Sequence, residues 1–128
     1  MTAAYRTYFT SLDLGRFAVN NPGRFNRRIE KATEELRRAG RDCGSSWGSA
    51  RKSLNLFLRD AFYNVYLQKR FKLVRCEDFL EIPLDRIVAD GLARMSAESL
   101  PRWQGVKYLS PGDSKVFQRA ATFEAARL

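Results

Sequence analysis

Ser49-Ala50-Arg51-Lys52-Ser53-Leu54-Asn55-Leu56-Phe57-Leu58-Arg59-Asp60-Ala61-Phe62-Tyr63-Asn64-Val65-Tyr66-Leu67-Gln68-Lys69-Arg70-Phe71-Lys72 is the stretch whose reading decides the fold. Leu54, Phe57, Leu58, Ala61, Phe62 and Val65 recur at helical spacing and make a wide apolar face. The pattern predicts one long helix from about Ser49 to about Lys72, at the centre of the core. Lys52, Asn55, Arg59, Tyr63, Tyr66 and Arg70 form a second stripe, polar and aromatic, at the same spacing.

The segments on either side are helical too. Residues 3–18 predict a first helix with Tyr5, Tyr8, Phe9, Leu12 and Phe17 as its apolar members, broken by Asn20, Asn21, Pro22 and Gly23. From Arg24 to Ala39 the apolar positions Phe25, Ile29, Ala32 and Leu36 share one face, and Gly40 is a natural C-cap. Cys43 to Gly48 reads as a short polar turn. Pro83 and Asp85 open a helix through about Arg94 that carries Leu84, Ile87, Val88 and Leu92. Ser110, Pro111 and Asp113 supply an N-cap, an N1 proline and an acidic N3 residue to a last helix. Its apolar members are Val116, Phe117, Ala120, Ala121, Phe123 and Leu128. The class is all-α, a compact helical bundle.

A chain of 128 residues makes a single helical domain of ordinary size. Its 45% apolar and 12% aromatic residues supply a core and exclude wholesale disorder. No apolar run reaches the roughly 20 residues that span a bilayer, and nothing reads as a signal peptide, so no membrane is expected. With two cysteines and no histidine, a disulfide scaffold, a Cys/His zinc site and histidine-based catalysis are excluded. No metal and no cofactor are expected, and a reducing cytoplasm is the default location.

Charge supplies the first positive indication. The 23 Lys and Arg outnumber the 14 Asp and Glu, for a net charge of +9. Residues 1–52 carry 11 basic and 5 acidic groups, and residues 53–75 carry 5 and 1. Residues 76–100 reverse the balance, with 2 basic and 6 acidic groups. A basic N-terminal half is the electrostatic footprint of a polyanion ligand, and the predominance of Arg suits bidentate phosphate contacts. Nucleic acid is the expected partner. Arg24, Arg27, Arg28, Arg59 and Arg70 are candidate backbone contacts.

Two places carry candidate chemistry. Trp47-Gly48-Ser49-Ala50-Arg51-Lys52-Ser53 is a glycine turn entering a helix, where free backbone N–H groups favour phosphate. Lys52, on the first turn, is a candidate amine nucleophile. In Ile82-Pro83-Leu84-Asp85-Arg86-Ile87-Val88, Asp85 falls in the first turn of a helix, where a carboxylate meets the helix dipole favourably. Taken singly, each has an ordinary structural explanation: a cap, a surface lysine, a dipole partner.

In order along the chain, these pieces resemble the core of the helix-hairpin-helix base-excision DNA glycosylases, the endonuclease III-like superfamily. Gly48-Ser49-Ala50-Arg51-Lys52-Ser53-Leu54-Asn55 is similar to that family's hairpin and following helix. Pro83-Leu84-Asp85-Arg86-Ile87-Val88 is similar to its second motif. The resemblance covers residues 45–95, leaving 1–44 as N-terminal helices and 96–128 as a C-terminal helix region. It implies a helix-hairpin-helix-like element whose Trp47, Gly48, Ser49, Ala50 and Arg51 touch DNA. It further implies Lys52 as a Schiff-base nucleophile and Asp85 as the catalytic carboxylate of an N-glycosylase or AP lyase. Ala50 stands where the family has its second glycine, and there is no four-cysteine motif for an iron–sulfur cluster. Only 47 residues precede Gly48, fewer than form the far wall of that family's cleft, and a homodimer could supply the wall.

A second reading keeps the fold without catalysis, as a DNA-binding or protein-interaction module with a degenerate site. Base flipping requires stacking side chains, for which Trp47, Tyr63, Tyr66, Trp103 and Tyr108 are available. Trp47, beside serines and a glycine, is the best candidate for an exposed contact. Phe62 and Tyr63 are expected in the core.

Overall fold

The computed structural model describes residues 2–127, so Leu128, expected among the apolar members of the last helix, lies outside it. Among those residues the regular structure is entirely helical, and the chain is all-α. Six α-helices carry it: α1 (Ala3–Ser11), α2 (Pro22–Ala39), α3 (Trp47–Tyr63), α4 (Val65–Arg70), α5 (Arg86–Met95) and α6 (Pro111–Ala126). Short 3₁₀ segments at Leu14–Phe17, Arg41–Cys43, Leu73–Phe79 and Val106–Tyr108 join them.

Several boundaries differ from the sequence expectation where a short polar side chain captures backbone N–H groups. The first helix stops at Ser11, because the Asp13 side chain accepts from Gly15 N at 2.9 Å and starts a separate 3₁₀ turn. Pro22 and Gly23, expected in the break before the second helix, belong to its first turn. Asn21 caps α2 through Arg24 N at 3.0 Å, and Pro22 is its first residue. The expected long central helix is two. Asn64 leaves helical geometry at φ −83° and ψ 111°, and its side chain accepts from Leu67 N at 3.0 Å, capping α4. The fifth helix begins at Arg86 and not at Pro83. Pro83 and Leu84 precede the helix in irregular backbone, and the Leu84 side chain is buried. Ser110, Pro111 and Asp113 open α6 as expected.

The core falls into two clusters. The larger gathers Phe9, Phe17, Phe25, Ile29, Leu36, Leu54 and Leu58 from α1, α2, α3 and the adjoining 3₁₀ turns. Phe9 and Phe57 stack within it, their ring centroids 4.3 Å apart. Leu84, Ala89, Leu92, Leu109 and Phe117 make the smaller cluster, with Trp47 and Trp103 packed against it. Val65, Ile87 and Phe123, expected on buried faces, are exposed.

An irregular strap, residues 80–85, runs between the two clusters and is held from both sides. Gln118 of α6 accepts from Ile82 N at 3.0 Å and donates to Ile82 O at 2.8 Å. From α3, Arg59 Nε donates to Glu81 O at 2.9 Å, while Arg51 Nε and Asn55 Nδ2 each donate to Glu81 Oε1 at 3.0 Å. The α3 helix is therefore the spine of the molecule, as its apolar face implied.

Candidate functional site

The start of α3 was the expected phosphate site, and the structure gives its residues other work. Ser46, not a glycine turn, is the N-cap: its Oγ accepts from Ser49 N at 3.1 Å, and Ser49 Oγ accepts from Ser46 N at 2.9 Å. The Tyr5 hydroxyl reaches the same cluster, bonding to Ser45 Oγ and to Ser49 Oγ. Gly48 lies inside the first turn and is buried. A Cβ there would collide with the carbonyl oxygen of Val106, so glycine is required by the turn at 106–109, which covers this helix start. Ala50 is fully buried in the larger cluster.

Arg51 is the clearest correction. It is 4% exposed, and its guanidinium is committed on every side. It pairs with Glu30 at 2.9 Å and Glu81 at 3.0 Å, and donates to Thr33 Oγ1 at 2.7 Å. The Trp47 ring lies beneath it, 4.8 Å from centroid to guanidinium carbon. Trp47 in turn packs against the smaller cluster, so it is not the exposed contact expected of it. Arg59 is half-buried and bonds the strap, so its role is structural too.

Lys52 and Asp85, the candidate catalytic pair, do not line a common cavity. Lys52 borders a hollow formed with Gly48, Asn55, Leu84, Leu109 and Ser114 that leaves no volume for a water molecule. Asp85 is the N-cap of α5, its carboxylate accepting from Val88 N at 2.9 Å. Both side chains are half-buried. The hollow beside Lys52 is too small for a nucleobase.

Arg24, Arg27 and Arg28 do come together. All three are exposed on one face of α2, and with Lys31 they line a groove of about 310 Å³. Lys31 was missed in the sequence, although it stands one helical turn beyond Arg27 and Arg28. Among the described residues none of the four cations is in an ion pair. The other end of α2 behaves differently: Arg37 and Arg38 bond Glu34 at 2.6 and 3.3 Å. The hydrogen bond and charge of Arg37 hold the Glu34 carboxyl below its ordinary range. Arg70 belongs to a second groove on α4, with Val65, Tyr66 and Lys69. Tyr63, expected in the core, is exposed; Phe62 is half-buried.

Compared with protein-family models, curated proteins and solved structures, the chain matches none. No helix among the described residues is long and apolar enough to cross a membrane. What the fold and its surface define is an all-α protein with a concentrated, unpaired cationic face.

Proposed function

We propose that this protein binds DNA through its phosphate backbone, with α2 as the contact. The observation that carries the reading is the unpaired quartet Arg24, Arg27, Arg28 and Lys31. Like charges three and four residues apart on a helix repel. Cations in the first turns also oppose the helix dipole, and the first turn of α2 holds no acidic residue. An arrangement that opposes helix stability, on a helix that neutralises its other arginines, suits a surface whose counter-charge comes from a ligand. Arginine forks match phosphate oxygens, and four cations along one face suit a regularly charged backbone better than an isolated anion.

The glycosylase reading, with Lys52 as nucleophile, Asp85 as carboxylate and a helix-hairpin-helix at residues 45–95, has less support. Base excision needs a pocket for the flipped base, and the hollow beside Lys52 is closed. The non-catalytic form of the same DNA-binding reading is therefore preferred.

The test is duplex binding across a salt series, for the native chain and for the triple variant Arg24→Ala, Arg27→Ala, Arg28→Ala. The native chain should lose affinity linearly on a logarithmic salt scale. The triple variant should bind more weakly, its slope reduced by about 0.9 for each phosphate contact removed. Salt-sensitive binding that is unchanged in the variant would place the DNA contact elsewhere. No duplex binding at low salt would overturn the proposal.

A further inference from the structure

A different surface combines cations that form no ion pair with exposed aromatic rings. From Ala61 to Cys76 the chain holds Lys69, Arg70, Lys72 and Arg75 and no acidic residue. All four cations are exposed, and none forms an ion pair among the described residues. Beside them stand Tyr66, Tyr63 and Val65, which are 70%, 71% and 65% exposed. Val65, Tyr66, Lys69 and Arg70 line a shallow groove of about 750 Å³. Lys69 and Arg70 lie one helical turn beyond Tyr66, so the ring and the two cations share a face.

Large apolar side chains held out of the core beside unpaired cations need an occupant with both a flat apolar face and negative charge. A second copy of this chain fits badly, since a two-fold contact would bring Lys69 and Arg70 against their own counterparts. A DNA duplex fits badly too, because its base faces are stacked away. We infer that α4 and the turn after it bind single-stranded nucleic acid, with an unstacked base on Tyr66, a neighbouring base within reach of Tyr63, and phosphates on Lys69 and Arg70. Stacking on an aromatic ring tolerates any base, so the site is indifferent to sequence. It does not rest on the α2 reading, and either can fail alone.

The experiment is fluorescence anisotropy on a labelled oligothymidylate and, in parallel, on a duplex. Native protein, Tyr66→Ala, Tyr66→Phe and the double variant Lys69→Ala, Arg70→Ala are compared. Tyr66→Ala should weaken oligothymidylate binding roughly 5- to 150-fold, the range of one lost stacking contact. Tyr66→Phe should retain it, and duplex binding should change in neither. The double variant should flatten the salt dependence for the single strand. Photo-cross-linking from a 5-iodouracil-substituted oligonucleotide should map to the peptide holding Tyr66, and thermal unfolding should show both Tyr66 variants folded. Equal affinity in the native chain and Tyr66→Ala, equal losses in Tyr66→Ala and Tyr66→Phe, or no oligothymidylate binding at low salt would each overturn the assignment. So would displacement of the oligonucleotide by polyglutamate at matched charge, which would make the face a contact for an acidic protein.

Discussion

The Nε atom of Arg51 lies 3.0 Å from Oε1 of Glu81, and the two residues are 30 positions apart in the chain. The same guanidinium reaches Glu30, 21 positions earlier, at 2.9 Å. One cation on α3 thereby ties α2 to the strap between the two core clusters. Removing one partner of a buried pair leaves charge uncompensated, which generally costs about 3–5 kcal/mol. Glu30 and Glu81 keep some access to water, so the low end applies. Arg51→Ala should lower stability in urea unfolding by about 3 kcal/mol. Arg51→Lys should recover only part of it, since a compact ammonium lacks the planar fork that reaches Glu30, Thr33 and Glu81 together. A loss near the surface-substitution range of about 0.5 kcal/mol would mean the ion pairs are not the tie.

Gly48 separates a packing role from a ligand role. Its missing side chain makes room for the Val106 carbonyl, and backbone yields less readily than a side chain. Gly48→Ala should therefore lower the thermal midpoint, with a cost of about 1–3 kcal/mol for overpacking. Duplex affinity of the folded variant should be unchanged. The opposite pattern, intact stability with weakened DNA binding, would restore the phosphate role for this helix start.

Asp85 and Lys52 can be tested together. As an N-cap, Asp85→Ala should cost about 1 kcal/mol, while Asp85→Asn or Asp85→Ser should cost little because both side chains still accept from Val88 N. Borohydride treatment of the protein on an abasic duplex should trap no covalent complex, and Lys52→Ala should bind DNA like the native chain. A trapped complex that vanishes in Lys52→Ala would establish Schiff-base chemistry and make the protein an AP lyase.

The two thiols should report the fold directly. Cys43 is exposed, whereas Cys76 is buried and its thiol donates to Leu73 O at 3.2 Å. Burial pushes the Cys76 thiol up to about 11. A thiol reagent should titrate one cysteine quickly in the native protein and both in denaturant. The folded thiol holds its proton more tightly than the unfolded one, so its contribution to stability is complete below the unfolded pKa of 9.0 and is lost as pH rises to about 11. Rapid reaction of both thiols at neutral pH would contradict the packing of the Leu73–Phe79 turn.

Local periodicity and capping chemistry were enough, from sequence, for the all-α class, for the buried face Phe25, Ile29, Ala32 and Leu36 of α2, and for the Ser110-Pro111-Asp113 start of α6. These features depend on residues within one or two helical turns of each other. The break at Asn64 was harder to see, because the hydrophobic period runs on across it while a single side chain terminates one helix and caps the next. Arg24, Arg27 and Arg28 were legible as candidates, whereas Lys31, one turn further along the same face, was not picked out.

What the tertiary structure alone decided is which charges are free. Arg24 and Arg51 are both arginines on basic helices, and no local pattern distinguishes them. Arg51 is lost to ligands because Glu30, Thr33 and Glu81 converge on it from distant points of the chain. Tyr63 and Tyr66 lie exposed because no other element covers that face of α3 and α4. Helical class and the sign of the surface charge were already fixed by short-range periodicity and composition, while the division of the central helix at Asn64 was not. Which cations meet carboxylates, and which aromatics meet water, was settled only when long-range packing brought separate segments into contact.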